Sequence, residues 1–177
     1  MKFRTNPGIP SADEYAEYYG QYLKFAGDET DIADVLAEQV KALKELVANH
    51  PTQLQQVHSP YTWSVTQAVG HLCDQERVFG NRAARFAAGD LTSLPGYDQA
   101  VMGNGGGYER CEPGCVVEEF ENLRRANQLL FARLDEEQWG RRGLCDERLL
   151  SVRAIAYLLA GHFRYHFAIF QQRLQPA

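Results

Sequence analysis

The chain has no apolar run approaching the roughly 18 residues that a membrane-spanning helix requires, so no such helix is expected. It has no basic stripe either: 18 Lys and Arg stand against 23 Asp and Glu, for a net charge of −5. Nucleic-acid binding by phosphate neutralisation is therefore not expected. Cysteine is scarce. Cys73, Cys111, Cys115 and Cys145 suit free thiols in a reducing compartment. Cys111 and Cys115 flank Pro113-Gly114, but without a second pair at zinc-site spacing they give a closed four-ligand site no framework. The opening MKFRTNPGIPSADEYAEYYG has no hydrophobic signal core, which makes a cytoplasmic location the expectation. Alternating strand patterns and internal repeats are missing as well. Gly103 to Gly107 neither follow a strand nor open a nucleotide-binding helix, so a phosphate-cradling loop is not expected.

Helical periodicity is what the chain has instead. At 177 residues, 45% hydrophobic and 23% charged, it reads as one domain, 1–177, able to bury a core without disulfides. Residues up to about Pro10 read as a loosely ordered arm. Ser11 and Glu14 form a capping-box signature for a short helix over 12–25. Its Tyr15, Tyr18, Tyr19 and Tyr22 share one face and read as an aromatic packing arm. A long helix over 29–49 carries Ile32, Val35, Leu36, Val40, Leu43 and Val47 on one side, and Pro51 ends it. Ser64 or Thr62 caps a second over 64–88, with Val65, Ala68, Val69, Leu72, Phe79, Ala83 and Phe86 inward. A third over 115–134 points Val116, Val117, Phe120 and Phe131 inward and Arg124, Arg125 and Arg133 outward. Ser151 opens the last, over 151–174. In the stretch 89–114, six glycines from Gly96 onward and two prolines exclude regular helix, and the segment reads as a lid or pocket wall. The fold class is all-α: a four-helix bundle with a long crossover loop and a short N-terminal helix.

Three histidines carry the chemistry. His162 and His166 lie in the apolar stripe of the last helix with Ile155 and Leu159, and His71 lies on the flank of the second helix's buried face. Residues four apart on a helix stand one above the other, about 5–6 Å between Cβ atoms, so two such imidazoles can converge on one ion. With a third from another helix they make three ligands and leave a position open, as catalytic zinc or nickel sites do. The alternative is that each ring is a core residue hydrogen-bonded to a carboxylate or carbonyl. Phe163 stands where a zincin places its glutamate base, which removes a metalloprotease reading. Asp74, one turn after His71, either orients that ring or is a solvated acid paired with Arg77 or Arg153. Glu76 and Arg77 read as helix-surface residues, and Trp63 and Tyr165 either line the site or belong to the core. His50 and His58 read as surface residues.

At these residues the chain resembles the DinB-like superfamily of bacterial metal-binding helical bundles. The blocks that carry the resemblance are EYAEYYGQYL, YTWSVTQAVGHLCDQERVFGNRAARFAAGD, LPGYDQ and LLSVRAIAYLLAGHFRYHFAIFQQRL, in that order over nearly the whole length. The resemblance implies a four-helix bundle, often a homodimer, with a divalent metal on His71, His162 and His166. It also brings in thiol S-transferases and isomerases that use bacillithiol or mycothiol, and hence a low-molecular-weight thiol as a cofactor. The sequence departs from the commoner GHELHH ending: Phe163 replaces the glutamate and Tyr165 an intermediate histidine. Three functions follow as expectations: a metal-dependent enzyme on small electrophiles, by thiol transfer or by hydrolysis; a non-catalytic binder of metal or a small ligand; and a helical dimer with structural histidines.

Overall fold

Three of the long helices open on a side-chain cap. Asp31 accepts from the Asp34 amide at 3.3 Å, Ser64 from Gln67 at 3.1 Å and Ser151 from Ala154 at 2.9 Å, satisfying amides that a helix start leaves without partners. Gln67 accepts in return from the Ser64 amide at 3.0 Å, closing a capping box. The computed structural model describes residues 2–28 and 31–175. Its elements are α1 (Glu17–Ala26), α2 (Ile32–Asn49), α3 (Val65–Ala87), α4 (Gln99–Gly105), α5 (Pro113–Ala132), α6 (Glu136–Gly140), a hairpin of β1 (Arg142–Cys145) and β2 (Arg148–Ser151), and α7 (Val152–Arg173). Short 3-10 turns occupy Ala12–Glu14 and Tyr108–Arg110.

The four-helix bundle is made by α2, α3, α5 and α7. Both α2 and α3 pack against α5 and against α7, so they face each other diagonally. The four predicted long helices are present, with ends shifted by a few residues at most; the predicted start of the first, Glu29, lies outside the described residues. No helix among the described residues is long and apolar enough to cross a membrane.

Four readings of the sequence are corrected. The short helix over 12–25 is two pieces, because Tyr15 is extended (φ −151°, ψ 151°) and bridges to Leu150, while the Ala16 amide donates to Leu149 at 2.9 Å. The N-terminal arm is held: the Arg4 amide donates to Ala132 at 3.0 Å, and the Phe3 ring packs 5.7 Å from Trp139. A hairpin occupies 142–151, with Asp146 and Glu147 at φ 52° and 59° in its turn. The segment 89–114 does contain helix: α4, capped by Asp98, which accepts from the Ala100 and Val101 amides at 2.8 and 3.1 Å. Gly103 does not break α4. Its missing side chain admits the Trp63 indole, since a Cβ there would lie 2.4 Å from the ring.

The reading of Arg124 as outward is also overturned. Arg124 is buried and pairs with an equally buried Glu76, Nε–Oε1 2.8 Å and Nη2–Oε1 2.7 Å. Asn127 donates to the other Glu76 oxygen at 2.8 Å, Arg124 donates to Gln39 Oε1 at 2.7 Å, and Gln39 donates to the Ala160 carbonyl at 2.9 Å. This network ties α2, α3, α5 and α7 together. Every charge in it is answered, the condition on which a buried ion pair is tolerated.

Candidate metal centre

The first turns of α3 and the middle of α7 lie side by side, which brings His71 to His162 and His166 across the helix pair. Two glycines allow the close approach of neighbouring elements. Gly70 receives the Tyr108 ring and Gly161 the Tyr22 carbonyl, each at about 2.2 Å from where a Cβ would stand. The Tyr22 ring then sits edge-on to His162 at 5.0 Å, Trp63 5.5 Å from His71 and Tyr165 5.1 Å from His166. Trp63 and Tyr165 thus line the cluster, and Trp63 is fixed there by donating to Asn104 of α4 at 2.6 Å.

One ring nitrogen from each of the three histidines lies within 4.8 Å of the others. His71 Nε2 and His162 Nε2 are 3.3 Å apart. Two nitrogens bound to one tetrahedral ion at about 2.0–2.1 Å are themselves roughly 3.3–3.4 Å apart, so the pair already has the separation of two ligands. His71 and His162 are buried and His166 is half-buried, which leaves the cluster open on the His166 side. Burial holds His71 down at about 4 and, with the nearby His71 ring, His166 at about 3. Burial likewise holds His162 well below the ordinary imidazole range, helped by His166, His71 and Arg124. The three rings are therefore neutral near pH 7, the form in which imidazole offers a lone pair to a metal. His71 Nδ1 is buried with no hydrogen-bond partner. Neutral donors turned toward each other, with no carboxylate among them, fit a cation better than a self-contained hydrogen-bond network does.

The reading of Asp74 as a carboxylate that orients His71 is not supported. Asp74 accepts the Tyr108 hydroxyl at 2.8 Å and lies 3.7 Å from Arg77, while Arg153 reaches Glu14. Asp74 is nevertheless buried, and burial raises its carboxyl against the opposing Tyr108 and Arg77. His50 and His58 are half-buried and stand outside the cluster. Cys111 and Cys115 are free thiols.

A cavity of about 690 Å³ reaches the cluster at His162. Its walls include Tyr18, Tyr19, Tyr22, Gln75, Arg82 and Tyr97, so the N-terminal tyrosines line a pocket as well as packing. Gln75 donates to the Tyr97 hydroxyl and holds that ring against the cavity. Gln75 reads from the sequence as in line with His71, but neither it nor Arg82 was legible there as a cavity residue. The available signal was that both follow His71 on one face of α3, four and eleven residues on. Apolar patterning gives polar residues on a buried stripe no weight.

A model of the DinB superfamily matches residues 32–170. No curated protein is detectably similar in sequence. Among solved structures, the chain is similar to YfiT from Bacillus subtilis, described as a probable metal-dependent hydrolase with an unusual four-helix bundle topology. The two share 17% identity and a TM-score of 0.71 over 97% of this chain and 94% of that one.

Proposed function

Because the chain belongs to the DinB superfamily, we propose that it is a metal-dependent enzyme in which His71, His162 and His166 hold one divalent transition ion, zinc or nickel, next to a small-molecule cavity. The observation that carries this is the convergence of three neutral imidazoles from two helices, two of them at ligand separation. When bound, such an ion supplies Lewis-acid activation at the coordination position the three ligands leave open.

The protein's own residues do the rest. Tyr22, Trp63 and Tyr165 each pack a ring against one of the three imidazoles and hold it in place. The Arg124–Glu76 pair fixes α7 through Gln39 and Ala160, two residues before His162. Among the described residues no cysteine lines the cavity, and burial raises the Cys73 and Cys145 thiols. The attacking group therefore comes from outside. Water makes the reaction a hydrolysis, the reading YfiT's description favours. A low-molecular-weight thiol makes it an S-transfer, the reading the family resemblance brought in. Phe163, at the position where a zincin places its glutamate base, supplies none and is buried against Phe120, 5.7 Å between rings. Hydrolysis is the first reading, and the protein is expected to work as a homodimer.

The experiment is turnover of activated esters and of electrophiles with a thiol panel, using protein stripped of metal and then reconstituted with zinc or nickel. Metal-dependent ester cleavage without thiol supports hydrolysis, and turnover only with thiol supports transfer. The absence of metal-dependent turnover in both assays would favour a non-catalytic binder. Light scattering checks the dimer.

A further inference from the structure

The cavity that ends on His162 also holds a buried cation, Arg82, that no carboxylate among the described residues answers. Arg82 of α3 is 5% exposed and lines that cavity. Its Nη2 donates to the Pro95 carbonyl at 3.1 Å, and its guanidinium lies 4.8 Å from the Phe79 ring centre and 5.7 Å from that of Tyr97. Among the described residues no carboxylate pairs with it. The two acids on the same cavity are committed elsewhere, Asp146 to Arg148 and Asp98 to the α4 amides. Removing a guanidinium from water is expensive unless its charge and its N–H groups are met. One carbonyl and two ring faces meet only part of that demand, since a guanidinium carries five donors.

The unanswered charge is single and comes from a planar fork, which a carboxylate matches with two parallel hydrogen bonds. A dianionic group would be left with excess negative charge in this cavity. The cavity's lining is otherwise largely aromatic, with Tyr18, Tyr19, Tyr22 and Tyr97. Burial pushes Tyr19 and Tyr97 up to about 12, so these phenols stay uncharged near pH 7 and do not repel an anion. A volume of about 690 Å³ is that of an ordinary small-molecule pocket.

We propose that the substrate is a small organic carboxylate with an aromatic or apolar body, its carboxylate held by Arg82 and its reacting end directed at His162. The second half of this statement rests on the proposed metal-dependent reaction; the first half does not.

The test is calorimetric binding of ω-phenyl carboxylates with one to four methylenes, each paired with its neutral amide, to metal-free and zinc-reconstituted protein. At least one acid is expected to bind about tenfold or more tightly than its amide, since a charge-assisted bidentate pair is lost in the amide. Arg82→Met should abolish that preference, and Arg133→Met, at an exposed residue just past the end of α5, should retain it. Should Arg82→Met fail to fold, Arg82→Lys serves: it keeps the charge and loses the fork, so acid affinity falls several-fold while amide affinity holds. Equal binding of acid and amide, no binding of any acid at millimolar concentration, or a preference that survives these Arg82 substitutions would each overturn the assignment. An acid preference in protein that takes up no metal leaves Arg82 in its role and removes the metal reading. Metal uptake without the preference does the reverse.

Discussion

His71 is 2% exposed and keeps a buried Nδ1 without a partner, facing the rings of His162 and His166. Such a ring is stable only while neutral, which gives the metal-free protein a definite pH response. The unfolded chain protonates its histidines below about 6.5, whereas the folded chain holds His71 to about 4 and His166 to about 3. Between those limits the unfolded state binds more protons, so stability falls as pH falls. The loss is about 2 kcal/mol at about pH 5 for one histidine held near 4. Thermal melts of metal-free protein from about pH 7 to 5 should show the decline, and His166→Gln should flatten it; a slope unchanged by that substitution would contradict the burial account. Arg124 makes a second prediction. Arg124→Met leaves the Glu76 carboxylate buried and unpaired, and should cost roughly 3–5 kcal/mol in denaturant unfolding. Adding Glu76→Leu should recover much of the loss. The histidines were legible in the sequence because imidazoles in an apolar stripe need a reason to be there. Arg124 was not, because its reason is Glu76, 48 positions away on another helix.

At the scale of elements, the helix that sits on the site depends on a glycine. α1 lies along α7 so closely that a Cβ at Gly161 would stand 2.2 Å from the Tyr22 carbonyl oxygen. Backbone cannot swing aside as a side chain can. Gly161→Ala should therefore push α1 off α7, lower the melting temperature by an amount matching about 1–3 kcal/mol, and weaken metal binding by withdrawing Tyr22 from His162. Gly114→Ala, where a Cβ meets open space, should do neither. The same scale shows why the long helices were readable and the small elements were not. Four apolar stripes with Ser, Asp or Pro at their ends specify the bundle helices. The hairpin has four-residue strands, too short for an alternation to register, and its turn uses Asp146 and Glu147 at positive φ where Gly or Asn is the usual signal. α4 was hidden because its glycines read as breakers, whereas Gly103 is the seat of the Trp63 ring. Gly103→Ala should displace Trp63, detectable as a shift in tryptophan emission and a faster proteolytic cut within 89–114.

For the whole molecule, the bundle turns these local features into one site. The Glu76–Arg124 network joins all four bundle helices, and the cluster lies where α3 meets α7. The crossover segment and the N-terminal tyrosines line the cavity that reaches it. The central claim is that the cluster is a metal site, and metal analysis of protein purified without a histidine tag tests it most directly. About one equivalent of a transition metal per chain is predicted, removed by chelation, restored on reconstitution and lost in His162→Ala. Less than about a tenth of an equivalent, with no gain on reconstitution, or full occupancy in His162→Ala, would contradict it.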